Sequence, residues 1–194
     1  MAEVRVPSTQ QGFLHDLNTK YHRAAMWLFL VIVVAHWAEH LAQAFQIWAL
    51  DWARPKARGV LGMPFPWLVS SEWMHYAYAI IMLIGLVILR PAFVGRARTW
   101  WTIALAIQFW HHIEHLLLLV QAIAGNNIAG KPVPTSIAQL AFPRVELHLF
   151  YNVVVFIPMV VGMYLHLKPT RRELRAMTCT CPKEKRQLTG AGTS

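Results

Sequence analysis

Two histidine pairs carry most of the chemistry this chain can do. His36 and His40 stand four residues apart with Glu39 between them, and His111 and His115 repeat that spacing around Glu114. On a helix, positions i, i+3 and i+4 share one face, so each pair and its glutamate point the same way. Two more histidines follow glutamates closely: His75 stands three residues after Glu72, and His148 two after Glu146. One residue is about 100° of helix rotation, so Glu72 and Glu146 are not equivalent. Imidazole and carboxylate are common protein ligands of transition metals, and a carboxylate also fixes a ligating imidazole by accepting its other N–H. The candidate metal ligands are therefore His36, Glu39, His40, His75, His111, Glu114, His115 and His148, with Glu72 and Glu146 as further candidates. His112 is rotated off the shared face, and His15, His22 and His166 read as ordinary helix contacts. Cys179-Thr-Cys181 could bind a soft metal but reads first as a solvated, reduced tail.

The elements that must position these groups are transmembrane helices. Apolar types make up 56% of the 194 residues and charged types only 14%, against roughly 25% charged in soluble domains. That composition excludes a disordered chain, a coiled coil, a disulfide scaffold and an ordinary soluble enzyme. Segments 24–50, 73–89, 99–124 and 145–167 are each apolar over lengths near the ~20 residues a spanning helix needs. The first 23 residues lack the charged, apolar and small-residue regions of a signal peptide, so the first span is expected to be retained.

Basic residues sort by side. Thirteen Lys and Arg fall in the two tails and the link between spans two and three, and five (Arg54, Lys56, Arg58, Lys131, Arg144) in the other two loops. The positive-inside rule then puts both termini in the cytoplasm and loops 51–70 and 125–144 outside. Trp27, Trp100 and Trp101 are expected at the inner interface, and Trp48, Trp52, Trp67 and Trp73 at the outer. The net charge of +9 thus reads as topology and contact with anionic lipid, with no nucleic-acid partner.

The chain also looks duplicated. His36-Trp-Ala-Glu39-His40-Leu41 recurs 75 residues later as His111-His112-Ile-Glu114-His115-Leu116. Gly62-Met-Pro-Phe-Pro66 recurs as Gly130-Lys-Pro-Val-Pro134, and His75-Tyr-Ala-Tyr78 as His148-Leu-Phe-Tyr151, in the same order. The expected fold is an all-α integral membrane protein, a four-transmembrane-helix bundle built from a tandem duplication of a two-helix unit. Its parts are a tail over 1–23, repeats over 24–92 and 93–168, and a basic tail over 169–194. At 1.5 Å per residue, His36 and His40 lie roughly 18 and 24 Å into the first span, and His111 and His115 at similar depth in the third. His75 and His148 lie just inside the outer ends of the second and fourth. All six fall in one layer, where ionisable groups cost at least about 2.5 kcal/mol each if charged and face the bundle interior. The Pro-rich outer loops are expected to cap this layer.

Four helices supplying inward Glu and His resemble in part the ferritin-like di-iron plan: Glu72-Trp-Met-His75 fits its Glu-x-x-His motif and Val145-Glu-Leu-His148 does not. The histidine boxes also resemble those of integral-membrane hydroxylases and desaturases, which hold two irons. Three functions are compatible with the pattern. The first is a metal-dependent membrane oxidoreductase, with Fe or Cu, or else Zn, acting on an apolar or lipid-like small molecule. The second is a haem-b electron carrier with axial ligands such as His40 and His115. The third is a metal- or proton-binding or transport protein, or a subunit of a larger membrane complex. Tyr78, Tyr151, Gln43, Gln108 and Gln121 are packing residues that could also line the site.

Overall fold

A computed structural model describes residues 12–182, which form helices joined by turns and contain no strand. Arg5, Lys183, Lys185, Arg186 and Ser194, all counted in the charge and tail readings, lie outside the described residues. A short helix α1 (Gly12–Asn18) precedes α2 (His22–Trp48). A loop carrying the single turn α3 (Trp67–Ser70) leads to α4 (Glu72–Leu89), then α5 (Gly95–Ala124), α6 (Arg144–Leu167) and the terminal α7 (Arg171–Ala176). Helices α2, α4, α5 and α6 are long and apolar enough to cross a membrane. Each falls within a few residues of the span expected from hydropathy. The largest difference is at α5, which begins at Gly95 rather than residue 99. Gly95 takes φ +52°, and a Cβ there would strike the Glu173 carboxylate, so a glycine is required for that close approach.

Leu28, Val31, Phe45, Ile84, Ile103, Val120 and Ile157 are exposed, although the helices bury a core of their own. Helices that are apolar all round suit lipid on one side and neighbours on the other. Met26, Phe29, Met82, Leu86, Phe93, Trp101 and Met159 fill the interior of the half that holds the start of α2 and the end of α6. Trp101, expected at a lipid interface, is instead wholly buried: its ring stacks on Phe93 at 4.1 Å and its Nε1 donates to the Leu86 carbonyl at 2.8 Å. Packing is closest between α5 and α6, where Gly162 lets α6 approach the backbone of Ala97 and Trp101. It is much looser between α2 and α4.

The last four carbonyls of a helix have no donor within it. At α4 each one is met: Leu86 by Trp101 Nε1, Val87 by the Arg90 N–H, Ile88 by Asn18 Nδ2 at 2.8 Å and Leu89 by His22 Nε2 at 3.2 Å. Beyond α6 the chain folds back over this end. Thr170 and Glu173 form a capping box at α7, and Glu173 also accepts from the Arg96 amide and guanidinium. Arg96 beside it holds the Glu173 carboxyl down at about 2.

Candidate metal centre

The i, i+4 spacing on α2 and α5 does what helix geometry requires. His36 and His40 bring their Nε2 atoms to 3.1 Å, and His111 and His115 bring theirs to 3.2 Å. The remaining two histidines enter from the first turns of α4 and α6, where each ring reaches back one turn. His75 Nδ1 bonds the Ser71 carbonyl at 3.0 Å and His148 Nδ1 the Arg144 carbonyl at 2.7 Å. A carbonyl only accepts, so both rings carry their proton on Nδ1 and present a bare Nε2. His40 is set the same way, its Nδ1 lying 2.8 Å from Gln43 Oε1.

These six rings form one connected cluster. His148 is its hub, with centroids 5.1, 5.2, 5.6 and 6.1 Å from those of His40, His115, His111 and His75. His40, His115 and His148 are buried, and His148 Nε2 is shielded from solvent with no hydrogen-bond partner among the described residues. His111, His115 and His148 each offer a ligand atom within 4.8 Å of the others, a group that could hold a metal ion. Beside the rings lies a cavity of about 20 Å³ lined by His36, His75, His111, His115, Tyr78 and Tyr151. A space of that order takes one water or one ion. The tyrosines are part of this wall: Tyr78 stacks on His36 at 3.6 Å and Tyr151 on His111 at 4.2 Å. His112 lies apart, tilted over Tyr76.

The glutamates are placed around the cluster rather than at its centre. Glu39 accepts the backbone N–H groups of Val60, Leu61 and Gly62. Glu114 accepts from Ser136 Oγ at 3.3 Å and the Ala138 N–H at 3.0 Å, while its other oxygen lies 4.0 Å from His111 Nδ1. Glu72 forms a two-pronged ion pair with Arg144 at 2.6 and 2.7 Å, and Glu146 one with Arg54, at 2.9 Å in one arm. Both ion pairs join the first half of the chain to the second.

The loops are thus strapped to the helices below them. One strap escaped the sequence reading: Gln46 holds Gly59 by both its N–H and its carbonyl, as Gln121 holds Thr135. Gln46 and Gln121 are 75 residues apart, the offset of the histidine pairs, which is the signal that could have found the first from the second. Glutamine at Glu39 would keep one acceptor oxygen and turn an NH2 toward backbone donors. Glu39→Gln is therefore expected to raise amide exchange over residues 59–62 at least about tenfold, equivalent to ~1.4 kcal/mol, and to leave metal content unchanged. Unaltered exchange there would remove the strap.

A cleft of about 370 Å³ opens beside the cluster at the loose α2–α4 seam. Ile32, Leu61, Leu68, Val69 and Met74 form its apolar wall, and His36, His40 and His75 line its inner side.

A second group lies at the other end of the bundle, roughly 27 Å along α2 from His40. His22, His166, Cys179 and Cys181 converge there, all buried. This corrects two expectations. The cysteines are 0% and 3% exposed rather than solvated, because α7 turns the tail back against Val94 and Leu167. His22 and His166 face them rather than serving only as helix contacts.

No protein-family model, curated protein or solved structure matches this chain.

Proposed function

We propose that the protein is a multi-pass cell-membrane protein whose six-histidine cluster holds two transition-metal ions and oxidises or reduces an apolar, lipid-like small molecule. The observation that carries this reading is the clustering of six imidazole rings beside a cavity of ion size, with the His148 Nε2 buried and without a partner among the described residues. An unpaired ring nitrogen buried in an apolar interior is costly unless something binds it. Two imidazole nitrogens about 3.1 Å apart also match adjacent ligands on one ion with metal–nitrogen bonds of about 2.0–2.1 Å.

His111, His115 and His148 form the more enclosed ligand set, His36, His40 and His75 face the cleft, and His148, beside His40 and His75 as well, is shared between the two sets. Imidazole-rich sets suit Cu, Fe or Zn. Glu39 and Glu114 act from behind, tying the loops down and, for Glu114, orienting His111. Glu72 and Glu146 serve as ion-pair partners that register the two halves. Ions at these positions would supply redox or Lewis-acid chemistry at the inner side of the cleft. The chain's own residues supply the rest: the cleft admits an apolar molecule sideways from lipid, and the strapped loops exclude water.

The matched features of the two halves support a tandem duplication: paired histidines, a tyrosine stacked on each pair, a glutamate strap and a glutamine strap. The charge asymmetry supports cytoplasmic termini. A haem between His40 and His115 would need those rings prised apart around a macrocycle, whereas His148 now touches both. The apolar core between Phe29 and Met159 likewise argues against a through-path for ions.

The test is elemental analysis and an optical spectrum of the full chain purified in detergent. Two Fe or Cu ions per chain without a Soret band are expected in addition to any metal at the Cys/His group. A Soret band, or a cluster empty after purification and also after reconstitution with Fe(II) or Cu(I), overturns the reading.

A further inference from the structure

We infer that His22, His166, Cys179 and Cys181 form a closed, tetrahedral zinc site that clamps the C-terminal segment to the ends of α2 and α6. The four ligand atoms lie within 4.8 Å of one another, and all four residues are at most 3% exposed. His22 Nδ1 lies 3.4 Å from Cys181 Sγ, and His166 Nε2 3.3 Å from Cys179 Sγ. A tetrahedral zinc ion with Zn–S near 2.3 Å and Zn–N near 2.0–2.1 Å places such atoms about 3.6 Å apart. The cradle therefore needs only slight adjustment.

The tautomer of His22 is already right. Its Nε2 must carry the proton to bond the Leu89 carbonyl, so Nδ1 turns a bare lone pair toward the sulfurs. A carbonyl behind a ligating imidazole is the usual orienting partner of such a ligand. Phe93 walls the site, its ring 5.2 Å from His22 and 4.6 Å from His166. Phe93 itself is wholly buried, so the site is sealed on that side. Two thiolates and two neutral imidazoles around Zn2+ make a neutral unit, the form in which such a group is least costly to bury. Binding releases the two thiol protons to solvent. Four protein ligands complete a tetrahedron and leave no position for substrate, which marks a structural ion rather than a reactive one.

The site also accounts for the fold of the tail. The core there consists of Met177 and the two cysteines, packed against Val94 and Leu167. That is little apolar surface to hold residues 177–182, and a metal joining them to residues 159 and 13 positions upstream supplies the missing constraint. The ligands come from the beginning of α2, the end of α6 and the tail, so one ion ties together elements from both halves.

The experiment uses the full chain in detergent, with Zn2+ and then Co2+ as probes. About one zinc per chain is expected, persisting in a His115→Ala variant whose imidazole cluster is disabled. In the Cys179→Ser/Cys181→Ser variant it falls to below about a tenth of an equivalent. Co2+ loaded into the wild-type chain shows the visible absorption of a tetrahedral ion and a thiolate charge-transfer band. Alkylation of both cysteines is slow until a chelator is added. The wild-type cobalt and alkylation measurements decide the matter even where the double variant does not fold. Absence of the cobalt bands, chelator-independent alkylation, or iron or Cu(I) rather than zinc at this site would overturn the assignment. A wild-type chain that holds this zinc but takes up neither Fe nor Cu at the imidazole cluster would overturn only the proposed redox function.

Discussion

Replacing His148 with alanine is expected to strip the imidazole cluster of most of its metal. No other ring touches as many of the six: His40, His75, His111 and His115 all lie within 6.1 Å of it by centroid. Its Nδ1–H is committed to the Arg144 carbonyl, which leaves Nε2 as a bare donor with no protein partner among the described residues. Losing an orienting partner behind a ligand typically costs 10–100-fold in affinity. Losing a ligand shared by neighbouring ions should exceed that, so metal content is expected to fall well below half by elemental analysis. The fold should persist, because the Arg144 carbonyl lies in the first turn of α6, within reach of other donors. His112→Ala, which removes a ring outside the cluster, should leave the content unchanged. Full metal in both His148→Ala and His115→Ala would reduce the cluster to hydrogen-bonded helix packing.

Trp101→Ala is expected to be the most destabilising single change in the bundle core. The ring is wholly buried, stacks on Phe93 and tilts against Phe29 at 6.1 Å. Truncating a buried Trp typically costs about 3–5 kcal/mol through lost contacts and the cavity left behind. The Leu86 carbonyl would also lose its donor, adding about 1–3 kcal/mol for an unsatisfied buried polar group. Trp101→Phe keeps part of the packing and loses the donor, so it should fall between the two. Thermal unfolding in one detergent gives the comparison; an alanine variant within about 1 kcal/mol of wild type, below the usual range for buried Trp, would show that the cavity collapses. Phe93 rests on Trp101 and on both His22 and His166, so the alanine variant should also loosen the Cys/His site.

The parts of this structure that were legible beforehand are those with a period. Hydropathy located α2, α4, α5 and α6, because a membrane span needs a long apolar run whatever its neighbours. The i, i+4 rule placed His36 with His40 and His111 with His115, because both members sit on one rigid element. The role of Glu39 was not legible. Its partners are three backbone amides, and a backbone N–H has no letter in the sequence. The ion pairs of Glu72 and Glu146 depended on how the loops fold, which spacing along the helices does not record. The Cys/His group was hidden for another reason. His22 and His166 are 144 residues apart and each looks solitary, while the cysteines follow the last apolar span. Helix length did put His22 and His166 at the same end of the bundle, and two leftover imidazoles beside a Cys-x-Cys tail is a pattern that could have been weighed together.

The end of α4 has a consequence for how the protein is made. Its four final carbonyls draw their donors from α1, α2, its own following turn and α5. Asn18 and His22 are synthesised before α4, and Trp101 some fifteen residues after Leu86. While a ribosome has delivered only the first two long helices, the Leu86 carbonyl has no protein donor and must keep water or a lipid headgroup beside it. The first turns of α5 bring the indole that takes that place. The end of the second long helix is thus finished by the third, through one indole.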